Sequence, residues 1–325
     1  MELGDAPEPA LSPGEALIRP TLTGIASSDL AVASGRLAFE GVMGHEFVGV
    51  VERVEAARGG SPEAASRLVG KRVVGSIAVS CGACALCRGG LAQHCPQRQV
   101  IGLHGRDGCF AERLTLPLAN LEEVPKGVDD PRAVFAQAAA AALHAIHMLR
   151  IEGKPYVTVL GDGVMGLLCA QVMARRNASV RLLGTRPEKF SLCERWGIKH
   201  RHAGEVGKRQ DQDVVVDCTG SAAGLGLALS LVRPRGKVLI KSAPAPVPAS
   251  ALPPGEPGAD LSPAVVNEIE IIGSRCGRLG EGLNAIAQGE IDVLALVSAR
   301  MRLADAAEAL RAAASPASVK VVMES

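Results

Sequence analysis

The stretch YVTVLGDGVMGLLCAQ, residues 156–171, decides the fold. Its first part is an apolar, β-branched run of strand length, and its last part is apolar and helix-forming. Between them stand Gly161, Gly163 and Gly166, spaced G-x-G-x-x-G. Alone that spacing is weak, but here it closes a strand and opens a helix, the context that gives it meaning. The three glycines then allow a tight turn, a close approach of backbone to a pyrophosphate, and close packing of helix on strand. The free N–H groups of the first helical turn, at Val164 and Met165, would face the anion. A glycine-rich βα turn without a ligand is the alternative.

Working outward, strand and helix patterns alternate. SVRLLG (179–184) reads as a strand, PEKFSLCERWG (187–197) as a helix, and DVVVDCTG (213–220) and GKVLIKS (236–242) as further strands. Such alternation predicts an α/β fold with a doubly wound parallel sheet. Upstream, PRAVFAQAAAAALHAIHMLR (131–150) reads as one long helix, with His144 and His147 as packing residues. Before it the chain is β-rich: EALIRPTLTGI (15–25), EFVGVVERV (46–54), RVVGSIAV (72–79) and AERLTLP (111–117) are short strands broken by Gly and Pro. Downstream, residues 242–263 hold seven prolines and predict an extended loop. EIEIIGS (268–274) resumes as a strand, LADAAEALRAAA (303–314) as a helix and SVKVVM (318–323) as a final strand. Trp196 reads as core. A chain of 325 residues exceeds one ordinary core, so two domains are expected.

The end of the second strand of a dinucleotide fold discriminates between cofactors. An acid there binds a ribose 2′-hydroxyl and repels a 2′-phosphate. This chain has Gly184, Thr185 and Arg186 instead. Gly184 leaves room, Thr185 offers a hydroxyl and Arg186 a forked cation, so NADP(H) is expected over NAD(H). Thr185 and Glu188 also suit a capping box for the next helix, which is compatible with that role.

SCGACALCRGGLAQHC (80–95) carries Cys81, Cys84, Cys87 and Cys95. Paired Cys-x2-Cys spacings in a reducing compartment suit tetrahedral zinc. Four thiolates fill the coordination sphere, so this metal is expected to be structural. An iron–sulfur cluster is the rival, because Cys95-Pro96 resembles the end of a ferredoxin run, but that run has three residues before its last cysteine rather than seven. Cys109, Cys169, Cys193, Cys218 and Cys276 read as small buried hydrophobes. GVMGHEFVGVV (41–51) presents His45 at a strand entrance. Adjacent strand residues face opposite ways, so His45 and Glu46 serve one site only if the backbone bends.

The formal charge is +1, from 35 basic and 34 acidic residues, and aromatics are 2%. This balance gives no electrostatic case for nucleic acid, and no apolar run reaches membrane-span length. The N-terminal segment is acidic and Pro-rich without a signal pattern, so a cytoplasmic protein with a small-molecule substrate is expected.

GHEFVGVV (44–51), the cysteine lobe, GRDGCFAERLTLP (105–117), the Ala-rich helix and VLGDGVMG (159–166) together resemble the zinc-type medium-chain alcohol dehydrogenases, in order and over nearly the whole chain. The resemblance implies a GroES-like β-rich catalytic domain at 1–138, with its structural-zinc lobe at 80–96, and 274–325 returning to it. It implies a Rossmann domain at 139–273 and a homodimer or homotetramer through the Rossmann sheet. It implies one structural zinc on the four cysteines, and a pyrophosphate contact from Lys320, for which a solvated strand-end lysine is the alternative. The chain also departs from the family. Where the family has Gly-Ile-Cys, this chain has GIASSD (24–29), so Ala26 replaces the first catalytic-zinc ligand. His45 keeps the second, with Glu46 beside it. FAQAAA (135–140) puts Gln137 at the third, where the family has Cys, Asp or Glu. Ser28, the family's proton-relay position, remains, and Ala31 stands where some members have a relay histidine. The expectation is an NAD(P)(H)-dependent oxidoreductase with Ser28, His45, Glu46 and Gln137 around the reacting centre, reducing an activated carbonyl or conjugated acceptor without catalytic zinc. A zinc alcohol dehydrogenase with an atypical metal site and a non-catalytic NADP(H)-binding sensor or scaffold are the alternatives.

Overall fold

The computed structural model describes the chain apart from residues 1, 58, 60, 62, 64, 65, 151, 152, 177, 208 and 243–259. Most of the proline-rich segment therefore lies outside the described residues. The chain forms two compact units, Met1–Gln137 with Gly282–Gly289 and Val297–Ser325, and Ala138–Glu281 with Glu290–Leu296. The return visit of Glu290–Leu296 has a clear cause. The Gln171 amide and the Asp292 backbone exchange two hydrogen bonds, 2.8 and 3.2 Å, and Trp196 Nε1 donates to the Asp292 carboxylate at 3.1 Å. Trp196 is thus half-buried on a polar partner and not a core residue.

The second unit is a six-stranded parallel sheet. Its order is Lys199–His202, Ser179–Gly184, Tyr156–Leu160, Gln212–Asp217, Val232–Ile240, Glu270–Gly273. Counted along the chain this is 3-2-1-4-5-6, the doubly wound order, and the reversal falls beside Tyr156–Leu160, the strand that leads into the glycine turn. Val157, Val159, Val215, Val216, Val238 and Leu239 are fully buried, as expected for strands covered on both faces. Each such side chain contributes about 1.5–3 kcal/mol on leaving water. The helix Val164–Ala174 is buried without interruption from Gly166 to Met173, which explains why it is apolar all round except at Gln171, whose amide bonds the Asp292 backbone.

The first unit is built on a seven-stranded sheet. Glu15–Gly24 is its long central strand. One edge pairs antiparallel with Glu46–Val54; along the other, Leu114–Pro117 takes the first half and Lys320–Glu324 the second. The register slips between Pro20 and Leu22, where proline has no N–H for the ladder. Val297–Arg302 extends the sheet beyond Lys320–Glu324; Arg72–Gly75 and then Leu121–Glu123 extend it beyond Glu46–Val54. A small sheet of Ala78–Val79, Gln99–Ile101 and Gly105–Arg106 carries the cysteine lobe.

The stretch 131–150 is two helices, not one. Asp130–Ala133 is capped by Asp129, which accepts the Arg132 N–H, and Ala136–Leu149 follows after a break at Val134 and Phe135. The break buries Phe135 completely and puts Gln137 in the first turn of the second helix. PEKFSLCERWG likewise divides into a 3-10 turn, Pro187–Lys189, and the helix Phe190–Arg195. Among the described residues no helix is long and apolar enough to cross a membrane.

Candidate functional site

The four cysteines of the lobe converge. Their Sγ atoms all lie within 4.8 Å of one another, with Cys84 to Cys87 at 3.4 Å, Cys81 to Cys95 at 3.5 Å, and Cys81 to Cys87 and Cys84 to Cys95 each at 3.9 Å. A tetrahedron with Zn–S bonds of about 2.3 Å has edges of about 3.8 Å, so the cage fits that ion. Backbone N–H groups at Ala83 and Cys84 draw the Cys81 thiol down to about 6, so one ligand is ready to ionise. Among the described residues this is the one group of three or more Cys, His, Asp or Glu side chains gathered to hold a metal.

The second constellation belongs to the first unit. Gly24–Ile25 leaves the central strand and the helix Ser27–Ala33 begins at Ala26, whose N–H donates to Asp29 Oδ2 at 2.7 Å. That bond turns the Asp29 carboxylate inward, where it is fully buried. Its Oδ1 lies 3.3 Å from His45 Nδ1, and His45 Nε2 lies 3.5 Å from Ser28 Oγ. Gly44 makes this possible. Its φ is +93°, and a Cβ there would meet the Phe110 ring at 2.3 Å. Burial pulls the His45 pKa down, but the Asp29 carboxylate and then Glu46 outweigh burial and Lys320, and the net result is raised.

His45 and Glu46 serve different partners, as strand alternation demands. Glu46 forms an ion pair with Lys320, whose ammonium also donates to the Ile25 carbonyl at 3.0 Å and sits 5.7 Å from the Phe135 ring centre. Lys320 is 1% exposed. Lys320 is therefore not a solvated strand-end lysine: its ammonium is buried in the first unit between Glu46 and the Ile25 carbonyl. Glu46 is the counter-charge of Lys320, and its carboxylate also helps to hold the His45 pKa up. The carbonyl oxygen of Gln137, the atom a metal would need, accepts the Ile77 N–H at 3.4 Å. Ser28, Asp29 and His45 are thus brought together, while Gln137 is tied to Ile77 and Glu46 to Lys320. The donor set around His45 does not fit a catalytic zinc: Ala26 offers nothing, and one imidazole is far from the usual three protein ligands.

The glycine turn lies in the second unit. Gly161 has φ +105°, and a Cβ on Gly166 would stand 1.9 Å from the Gly161 carbonyl oxygen, so that position admits only glycine. A Cβ on Gly163 would meet nothing within 4 Å. Gly163 caps the helix Val164–Ala174 without a side-chain cap, which leaves open space before the helix and first-turn N–H groups directed into it. This cradle fits a pyrophosphate. At the end of the second strand the space left by Gly184 is filled from within: a Cβ there would lie 2.6 Å from Asp162 Oδ2. That oxygen accepts the N–H groups of Thr185 at 2.6 Å and Arg186 at 2.8 Å, and Oδ1 lies 3.0 Å from Arg186 Nη1. The expected capping box is not formed. The 3-10 turn starts with Arg186 at its cap, a side chain with no acceptor to offer, and Asp162 takes the Thr185 N–H that Glu188 would need for the box. Asp29 and Asp162 are the residues that motif reading missed. The available signals were an acid at the third residue of a short helix and an acid–arginine pair across two successive βα turns.

The alcohol dehydrogenase GroES-like domain family matches residues 12–126. Over its length the chain is similar to sorbitol dehydrogenase of Halalkalibacterium halodurans, 27% identical over 98% of this chain and 94% of that one. It is 30% identical to erythritol/L-threitol dehydrogenase of Mycolicibacterium smegmatis over 70% of this chain and 69% of that one. A zinc-binding dehydrogenase of Sinorhizobium meliloti with bound NADP shares the fold at a TM-score of 0.82 and 27% identity, covering 98% of this chain and 94% of the other. The chain belongs to the zinc-type, alcohol dehydrogenase-like medium-chain dehydrogenase/reductase family and is an NAD(P)-dependent oxidoreductase.

Proposed function

We propose that this enzyme reduces an activated carbonyl or a conjugated acceptor, such as a quinone or enone, with NADPH and without a catalytic metal. Its one zinc sits on Cys81, Cys84, Cys87 and Cys95. The observation that carries the reading is the state of the donors around His45: Ala26 has no ligand atom, Glu46 is held by Lys320 and Gln137 by Ile77. The relatives' names point to polyols and to L-threonine, alcohols whose oxidation profits from a Lewis acid on the alcohol oxygen. An acceptor that spreads negative charge over a conjugated system needs only hydrogen-bond donors.

When bound, NADPH supplies the hydride. The chain's own residues handle the charge that follows. Ser28 Oγ–H donates to the acceptor oxygen as negative charge develops, and His45 Nε2 donates to Ser28 Oγ in turn. Asp29 holds the ring from the far side and balances the imidazolium. A panel of quinones, enones, aldehydes and simple alcohols tests the reading on zinc-loaded protein. Fast alcohol oxidation overturns it in favour of an atypical zinc enzyme. NADPH binding with no turnover on any acceptor overturns it in favour of a non-catalytic binding protein.

Gly161, Gly163, Val164, Met165 and Gly166 hold the pyrophosphate in this reading, and Gly184, Thr185 and Arg186 the adenosine end. The Arg186 side chain is 42% exposed, so part of its fork is open to a ligand. Arg186→Ala is expected to weaken NADPH by about tenfold or more and NADH little, since a charge-assisted bond is lost only for the phosphate. Titration of both cofactors checks it, and equal losses would remove Arg186 as the 2′-phosphate reader.

The oligomer in this reading forms at the free edge of the parallel sheet. Among the described residues Glu270–Gly273 pairs on one side only, and Val265 and Val266 in the preceding helix are 80% and 79% exposed. A second copy covering them accounts for that exposure. Val265→Lys with Val266→Lys is expected to halve the mass of the homodimer or homotetramer, or reduce it further, in light scattering.

A further inference from the structure

The spacing G-x-G makes Asp162 a filler between two glycines, yet its carboxylate is 3% exposed and crosses to the next βα turn. Two adjacent backbone N–H groups and one arm of a guanidinium converge on it. Neighbouring N–H groups with an arginine are the donor set that a phosphate monoester takes. Here an internal anion takes it, and Gly184 lacks a side chain where that anion sits.

We infer that Asp162 is a specificity-determining residue: it occupies the donors that would otherwise serve the adenosine 2′-phosphate, and so restrains the preference for NADPH over NADH. The inference rests on the proposed reading of Arg186 as the phosphate-facing residue. With Asp162 in place the N–H groups of Thr185 and Arg186 are engaged, and only the remaining guanidinium arms are left for a ligand. A phosphate brought to those arms stands near a buried carboxylate, where like-charge repulsion is poorly screened. A ribose 2′-hydroxyl meets no such repulsion and can donate to a carboxylate oxygen. The wild-type chain therefore takes both cofactors, with the phosphate favoured less than Gly184-Thr185-Arg186 alone would give.

Asp162→Asn keeps the shape and an oxygen for the two N–H groups but removes the charge. Asp162→Ser removes the charge and leaves a small acceptor. Dissociation constants of the full-length, zinc-loaded proteins for NADPH and NADH are read by nicotinamide fluorescence. Both variants are expected to raise the NADPH-to-NADH affinity ratio by about tenfold, the loss of one like charge beside a phosphate. A damaged fold weakens both cofactors together and leaves the ratio alone, so the ratio reports the charge. A ratio that stays fixed, or moves toward NADH, in the variant that folds overturns the inference. The parent reading fails separately: if Arg186→Ala leaves the wild-type ratio unchanged, Arg186 is not the reader, while the effect of Asp162 is still measured against wild type.

Discussion

Purified protein is expected to hold one zinc per chain, and His45→Ala to leave that number unchanged while lowering kcat for a quinone or enone by about 10²–10³-fold. The magnitude is that of one lost donor or general acid at a developing charge. Ser28→Ala is expected to fall in the same range, because Ser28 Oγ and His45 Nε2 form one relay. Neither change should alter the dissociation constant for NADPH, whose proposed contacts lie in the second unit. Metal analysis after dialysis separates this from ordinary zinc catalysis. Two tightly bound zincs per chain, with one lost in His45→Ala, would sink the metal-free reading, as would abolition of activity by a chelator that leaves the cysteine lobe folded.

Loss of any one lobe cysteine is expected to have the largest effect on stability. Cys81→Ser, Cys84→Ser, Cys87→Ser and Cys95→Ser should each release zinc and lower the apparent Tm sharply, with Cys95, the buried member, the most severe. Structural zinc contributes an apparent ~10–16 kcal/mol in small zinc-binding peptides at neutral pH, and a missing thiolate forfeits much of it. The lobe's own sheet is only two or three residues per strand, so little else holds it. Acid should release the metal as well, because protons compete for the thiolates. Iron with visible charge-transfer absorbance in place of zinc would overturn the assignment.

What the sequence displayed was whatever lay in short spacings. The glycine turn, the cysteine knuckles and the alternating strands are local, and each needs a narrow set of residue types. Several elements escaped because their causes are tertiary. The break at Val134–Phe135 lies within residues that all tolerate a helix; the demand of the core for Phe135 decides it. The strand Lys199–His202, KHRH, has no apolar alternation, and its pairing with Ser179–Gly184 decides it. The burial of Lys320 was not legible because Glu46, its partner, is 274 residues away in sequence. Asp162 was hidden in a motif position where any residue is allowed, and its meaning appears only when the ends of two strands are seen together. Around His45, Ala26 and Gln137 at the positions marked by the family resemblance were legible; Asp29, the partner of the histidine, was not.

The pairing of Lys320–Glu324 with Glu15–Gly24 sets an order of events during synthesis. Thr23 Oγ1 bonds the carbonyl of Met323, 300 residues away, and the buried Lys320–Glu46 pair spans nearly as far. Until the ribosome has released residues 320–324, one edge of the central strand's second half is uncovered, and Glu46 lacks the Lys320 counter-charge. The parallel sheet has no such dependence, since all six of its strands fall within one continuous run of chain. Domains complete as units while the chain emerges. The parallel sheet can therefore complete while the sheet built on Glu15–Gly24 still waits, one edge of its central strand uncovered, for residues 320–324.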